Sequence, residues 1–305
     1  MTLNRREFVV LSSGAFAAAV LGERLWAQQA AAPPQTAFET IRGNVGFFSG
    51  RGGTIGWMVN KDAVVAVDTQ FPDTAQIFVA RLKERAAGRG IDVTINTHHH
   101  GDHTAGNGVF QGASKKLVAH TNVPELMKQF TQPNAPPPIV PTTTFDTSWS
   151  ESVGDETVTV RHYGPAHTRG DAVIRFERAD VVHMGDLLFH EMHPFVDRPG
   201  GAHIENWIRT LETVVKEATG ETLFIAGHAR AGQPVLVKRE AVTQMRNYLD
   251  AVLAHVRKGI AEKKPQADIV SVAALPGFEH YQGSGSFLTL ARTLTAAYEE
   301  AMEKR

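Results

Sequence analysis

Ile95-Asn96-Thr97-His98-His99-His100-Gly101-Asp102-His103-Thr104-Ala105-Gly106-Asn107 is the stretch from which the rest of the chain can be read. Its histidines and aspartate follow an apolar run, Val93 to Thr97, that reads as a strand. Neutral imidazole and carboxylate are the groups zinc accepts where no thiolate is at hand. The pattern His-x-His-x-Asp-His selects His98, His100, Asp102 and His103, with His99 and Gly101 as spacers. If the strand continues through the first three residues, His98 and His100 share a face and can share one metal, while His99 points away. Asp102 and His103 follow the turn and project elsewhere, which suits a second metal close to the first. A metal pair is expected.

Composition narrows the partners. The chain has 305 residues, 42% hydrophobic and 21% charged, which is ordinary globular material long enough to bury a sizeable core. Its net charge is −1, and no basic run or basic-aromatic interleaving is present. Nucleic acid therefore has no support as a partner, and a small-molecule substrate is expected. No pattern specifies the oligomeric state. The cysteine count is 0, which excludes disulfides, thiolate ligands, a cysteine nucleophile and a lipoprotein anchor. Any metal must be held by nitrogen and oxygen.

Residues 1–32 read as an export leader rather than part of the fold. Asn4-Arg5-Arg6-Glu7-Phe8 precedes an apolar run, Phe8 to Leu21, too short to span a membrane, and Ala27 or Ala30-Ala31-Ala32 offers a cleavage site. The paired arginines resemble a twin-arginine signal; an ordinary secretory signal is the alternative. Either predicts a periplasmic or secreted protein with no stable membrane anchor after cleavage. Residues 33–305 are expected to form one domain.

Within that domain, short strands are expected at 46–49, 54–59 and 63–68, with Gly50-Arg51-Gly52-Gly53 as a turn. The glycine cluster does not complete a nucleotide-binding loop, because Ile55 occupies the last glycine position. Asp73 is expected to cap a helix through Ala86, before the strand that delivers the metal motif. Further strands are predicted at 117–120, 157–162, 172–176, 181–184 and 222–226. Amphipathic helices are predicted around Ile204–Val215, Val242–Val256 and Phe287–Tyr298. Gln132 to Pro138 reads as a surface loop, too short for an interdomain tether.

Three later pieces place a potential ligand after an apolar strand or in a glycine- and proline-rich turn: Gly164-Pro165-Ala166-His167, Met184-Gly185-Asp186 and Ala226-Gly227-His228. With the strand-ending Asp68, this ordered set resembles the metallo-β-lactamase-fold hydrolases over nearly all of residues 38–260. The resemblance implies an α/β fold, a four-layer αββα metallo-β-lactamase sandwich with a dinuclear zinc (Zn2+) cleft at one edge of its sheets. It implies that His98, His100 and His167 hold one zinc and Asp102, His103 and His228 the other. Asp186 would bridge them, with Asp68 steadying the histidine loop from outside. An aspartate at 186 resembles glyoxalase II and broad-substrate hydrolases, whereas zinc β-lactamases tend to carry cysteine or serine there.

The function expected from this resemblance is hydrolysis of an ester, lactone, thioester or amide by a metal-bridging hydroxide, with Asp102 as a catalytic proton acceptor. β-Lactam hydrolysis is the nearest alternative; a mononuclear iron persulfide dioxygenase and a non-catalytic periplasmic accessory protein are the rivals of other classes. His190 and His193 follow Asp186 in an apolar loop and are candidate substrate contacts. His120, His162, His203, His255 and His280 are read as surface or packing histidines, and His183 as packing beside the site.

Overall fold

Strand alternation builds the layers. The computed structural model describes residues 34–303, so the expected leader lies outside the described residues. In chain order the strands are β1 (Ala37–Arg42), β2 (Val45–Ser49), β3 (Ile55–Val59), β4 (Val64–Val67), β5 (Val93–Ile95), β6 (Leu117–His120), β7 (Thr143–Phe145), β8 (Ser148–Val153), β9 (Glu156–Arg161), β10 (Val173–Phe176), β11 (Val181–His183), β12 (Phe189–His190), β13 (Leu223–Ile225), β14 (His228–Ala229) and β15 (Leu236–Val237). The helices are α1 (Pro72–Arg85), α2 (Gly101–Thr104), α3 (Asn107–Gln111), α4 (Asn122–Gln129), α5 (Ile204–Glu217), α6 (Arg239–Ala261), α7 (Gln266–Val270) and α8 (Leu290–Glu303). β1 to β7 form one sheet in chain order; a second runs β15-β13-β11-β10-β9-β8, and β12 pairs with β14. From Thr36 onward the chain is one compact unit. Among the described residues no helix is long and apolar enough to cross a membrane.

Consecutive apolar residues of one strand enter different cores, as side chains that alternate across a sheet must. Val65 and Val67 of β4 point into the space between the sheets, where they meet Val158, Ile174, Phe176 and Ile225 of the second sheet. Val64 and Ala66 face the other way, onto Phe78 and Leu82 of α1 and Phe110 of α3. The second sheet repeats the pattern. Val181 joins the inner core while Val182 meets Trp207, Leu211 and Leu249 of α5 and α6. Each fully buried side chain such as Phe78 contributes about 1.5–3 kcal/mol. The result is helix, sheet, sheet, helix: the four-layer α/β sandwich that the resemblance implies.

β4 and β5 run parallel, as do β11 and β13. Chain leaving the carboxyl ends of parallel strands is brought to one edge, where open α/β sheets place ligands. Asp68 follows β4, His98 to His103 follow β5, Asp186 follows β11 and His228 follows β13; His167 lies between β9 and β10.

Several expectations are corrected. Asp73 does not cap α1: the cap residue is Phe71, Pro72 opens the helix, and Asp73 pairs with Arg51 at 2.7 Å. A proline at the first helical position needs no hydrogen-bond acceptor, so a capping side chain is less needed there. The last helix starts at Leu290, not Phe287. Ser284 and Leu288 exchange backbone hydrogen bonds across a glycine-rich turn and leave Phe287 at its exposed tip. β1 comes before the hairpin expected to open the domain.

The C-terminal helix returns to the body of the fold through one carboxylate. Glu300, buried in α8, accepts from the backbone N–H of Ile204 at 2.7 Å and of Glu205 at 3.1 Å, two of the unpaired donors at the start of α5. His203 Nδ1 accepts a third, from Asn206. α5 carries Trp207, whose indole donates to Leu187 O at 3.0 Å and whose ring lies 5.5 Å from that of His167.

Candidate metal centre

Strand β5 stops at Ile95, so His98, His99 and His100 sit in a loop and not on a continuing strand. The loop is pinned by side-chain amides: Asn107 donates to Asn96 Oδ1 at 3.0 Å and to Ile139 O at 2.9 Å. It still brings His98 and His100 together. His98 Nε2 is 3.1 Å and His167 Nε2 3.0 Å from His100 Nδ1. Asp102 and His103 lie in α2, where His103 Nε2 is 3.4 Å from His228 Nε2, and Asp102 Oδ2 is 3.1 Å from the same His228 atom. Asp186 stands between the groups. Its Oδ1 is 2.9 Å from His103 Nε2 and 3.4 Å from His228 Nε2, and its Oδ2 is 3.6 Å from His167 Nε2 and 3.9 Å from His98 Nε2.

Whether these residues suit a cation is decided by the other ring nitrogens, because a nitrogen that donates a hydrogen bond leaves its partner with a lone pair. Thr97 Oγ1 donates to Asp68 and so accepts from His98 Nδ1 at 2.9 Å. His167 Nδ1 donates to Phe195 O at 2.8 Å, and His100 Nε2 to Asp197 Oδ2 at 2.9 Å. All three therefore turn lone pairs toward one point. His103 Nδ1 donates to Asp68 Oδ2 at 2.7 Å, which turns its Nε2 the same way toward His228. Lone pairs this close repel unless a cation lies among them. Asp186 Oδ1 is also buried without a hydrogen-bond partner, an expensive arrangement for a carboxylate. The donor set fits metal: two groups, His98-His100-His167-Asp186 and Asp102-His103-His228, each have ligand atoms within 4.8 Å of one another.

Electrostatics separate the groups. Burial drives His98 well below the ordinary histidine range, helped by charge on His103, and takes His167 down to about 4. Neutral imidazole, the metal-binding form, is thus favoured there. For His228 burial opposes charge, but Asp186 and Asp102 outweigh it and push the ring up to about 10. Burial likewise opposes charge on Asp186, yet His228 and His103 hold its carboxyl well below the usual range.

Backbone strain and close approach support the centre. Asp68, fully buried, has φ of 66° and accepts from Thr97 N at 2.7 Å and Thr97 Oγ1 at 2.8 Å. Non-glycine residues in this region cost energy and persist only where surroundings hold them. The turn at Gly53 passes against the His103 ring, and a Cβ there would overlap it.

The remaining histidines are engaged elsewhere. His190 Nδ1 faces Pro234 O at 2.8 Å, and His193, buried, has Nδ1 2.8 Å from the Tyr248 hydroxyl. His183 Nε2 meets Thr54 O, His120 stacks on His162, and His255 Nε2 meets Ile269 O. Sequence reading missed Asp197. It accepts from His100 and from Gly200 N at 2.9 Å, and its Oδ2 lies 3.4 Å from His99 Nε2. Nothing in sequence ties it to a histidine 97 positions away.

A four-layer sandwich with buried histidines and carboxylates in paired groups at its strand ends has the make-up of a metallo-hydrolase. The sequence profile of the metallo-beta-lactamase superfamily matches residues 49–228, and the chain belongs to that superfamily. A metallo-beta-lactamase type 2 of Elizabethkingia meningoseptica is 22% identical over 173 residues, 56% of this chain and 67% of that protein. Among solved structures, a metallo-beta-lactamase from Pontibacter korlensis superposes with a TM-score of 0.60 at 15% identity, over 71% of this chain and 99% of that one. A double mutant of the sec-alkyl sulfatase PisA1 gives 0.68 at 14% identity, over 88% of this chain and 50% of its own length.

Proposed function

We propose that the protein is an exported dinuclear zinc hydrolase that cleaves a carbonyl substrate: an ester, lactone, thioester or amide. One observation carries the reading. Asp186 offers Oδ1 to one nitrogen group and Oδ2 to the other, the placement a bridging carboxylate requires. The seven residues of the two groups exceed the four ligands of a single tetrahedral site. Bound zinc would supply Lewis acidity, polarising the carbonyl oxygen and lowering the pKa of a water to about 7. His98, His100, His167 and Asp186 would hold one ion, and Asp102, His103, His228 and Asp186 the other. Asp102 is the accessible carboxylate, its side chain 30% exposed against 4% for Asp186, and is the group to take up the proton that water gives up. Phe189 stacks on His228 at 5.3 Å and excludes water from that flank. Export rests on the arginine pair and apolar run of residues 1–32.

β-Lactam hydrolysis is the second reading, favoured by the Elizabethkingia relative. The test is metal analysis of the protein followed by a hydrolysis screen of esters, lactones, thioesters and β-lactams on zinc-loaded enzyme. About two metals per chain and turnover of a non-lactam carbonyl substrate are expected. One metal, unchanged on adding zinc, refutes the dinuclear model, and oxygen uptake on a persulfide with iron bound would favour the dioxygenase. N-terminal sequencing of protein from a periplasmic extract should start near residue 33; retention in the cytosol at full length refutes export.

A further inference from the structure

A cavity of about 840 Å³ opens beside His99 and His100. It falls within the size range of small-molecule sites, and its character is apolar. Met127, Phe130, Pro137, Ile139 and Phe195 form its walls. The proline-rich loop after α4 is exposed, as expected of a surface loop, and it also forms one wall of this open-mouthed cavity. Asp197 is the one charged residue in the lining, and His100 and His99 hold its carboxylate. No lysine or arginine lines it.

One observation connects this cavity to the centre, and an independent one marks it as a surface for an apolar ligand. His100 contributes Nδ1 to the convergent nitrogens and its ring to the cavity lining, and its side chain is 18% exposed where those of His98 and His167 are 1% and 0%. Among the described residues, the exposed large apolar side chains are Phe130, Phe287 and Met302. Phe130 lines the cavity at 41% exposure, and Phe287, at 61%, packs edge-on to the Phe195 wall with ring centres 6.3 Å apart. Large apolar groups left in water around a concave site mark a surface that apolar ligand covers.

We infer that this cavity binds a neutral hydrocarbon arm of the substrate, so that the enzyme selects esters or thioesters of medium-chain apolar acids over those with a charged arm. This rests on the hydrolase reading above. An ionised group pushed into the cavity's apolar walls would find no lysine or arginine and would lose its hydration. A methylene pushed in would leave water for apolar contact, worth about 0.8 kcal/mol, or about fourfold.

Gly108 gives the discriminating variant. It lies in α3 on the cavity lining, and a Cβ there would sit 3.9 Å from Ile139 Cγ1, ordinary contact, so the first atom of a side chain at 108 is accommodated and Gly108→Leu narrows the cavity beside Ile139. Two series on the full-length zinc-loaded protein test the inference: hydrolysis of p-nitrophenyl esters from acetate to octanoate, and calorimetric binding of linear amides from acetamide to octanamide, with the ω-carboxylate analogue of octanamide alongside. Expected is a rise of about fourfold per methylene in kcat/KM and in affinity until the chamber is full. Gly108→Leu should break off both rises at a shorter chain and keep the thermal melt. The ω-carboxylate should bind at least tenfold more weakly than octanamide. Turnover of all esters with a flat chain-length series, or tighter binding of the ω-carboxylate, overturns the inference and leaves the hydrolase reading intact. No ester turnover but amide binding that climbs with length and falls in Gly108→Leu upholds the chamber and removes the reaction assigned to it.

Discussion

Asp197→Asn tests how the centre is held. The carboxylate has two jobs on opposite oxygens: Oδ2 accepts from His100 Nε2 at 2.9 Å and Oδ1 accepts from Gly200 N at 2.9 Å. An asparagine matches the shape but has one acceptor. If its oxygen faces Gly200, its NH2 confronts the His100 N–H, and the ring escapes by moving its proton to Nδ1, the atom 3.0 Å from His167 Nε2 that the centre needs as a lone pair. If the amide is reversed, two N–H groups collide at Gly200 instead. Losing such an outer partner costs 10–100-fold in metal affinity, or about 1.4–2.7 kcal/mol. Competition with a zinc chelator should show that loss for one metal, with the other bound as before, and nitrogen NMR of His100 should show the tautomer change. An unchanged melting temperature separates this from misfolding. Wild-type affinity for both metals, with the His100 proton still on Nε2, would refute the reasoning.

Asp186→Asn keeps size but removes the charge that faces both groups, so it should release metal from the Asp102-His103-His228 group and abolish most turnover; two metals and full activity would make Asp186 a turn residue only. Gly53→Ala places a methyl on the His103 ring and should lower metal stoichiometry while leaving the far-ultraviolet spectrum unchanged, which a stoichiometry of two would contradict. His120, held down to about 4 by burial and by charge on His162, favours the neutral ring in the fold. Because its folded pKa lies below the unfolded value of about 6.5, its contribution is complete above pH 6.5 and is lost as pH falls toward 4. His120→Ala should leave hydrolysis nearly unaltered and flatten the fall of melting temperature over that window; an equally steep fall would assign the acid sensitivity elsewhere.

Legibility followed locality. β2, β3, β4 and β6 were plain because their apolar runs are continuous and bounded by glycine or charge, and α5 because Ile204, Trp207, Ile208 and Leu211 recur at helical spacing. β8, Ser148–Val153, was not: an edge strand alternating exposed and half-buried residues carries almost no apolar signal. The two-residue strands β12 and β14 exist only because they pair with each other. In the centre, the motif at 98–103 shows itself by spacing, whereas Asp197 and the chamber arise from segments that sequence does not connect. The expected alternation placed His98 and His100 together for the wrong reason, since a pinned loop does the work of a strand.

The carboxylate that Glu300 lends to the start of α5 also sets an order in time. Ile204 and Glu205 leave the ribosome 96 and 95 residues before their acceptor. At about 5–20 residues per second, that is an interval of roughly 5–20 s. During it two backbone donors of the first turn of α5, those of Ile204 and Glu205, lack their carboxylate, and the helix that backs His167 through Trp207 is short of its last anchor. The nascent chain can gather its histidines early, but the wall behind one of them is secured only when α8 docks. A ribosome stalled within that interval should therefore display a chain whose α5 start is open to hydrogen exchange, and release should close it.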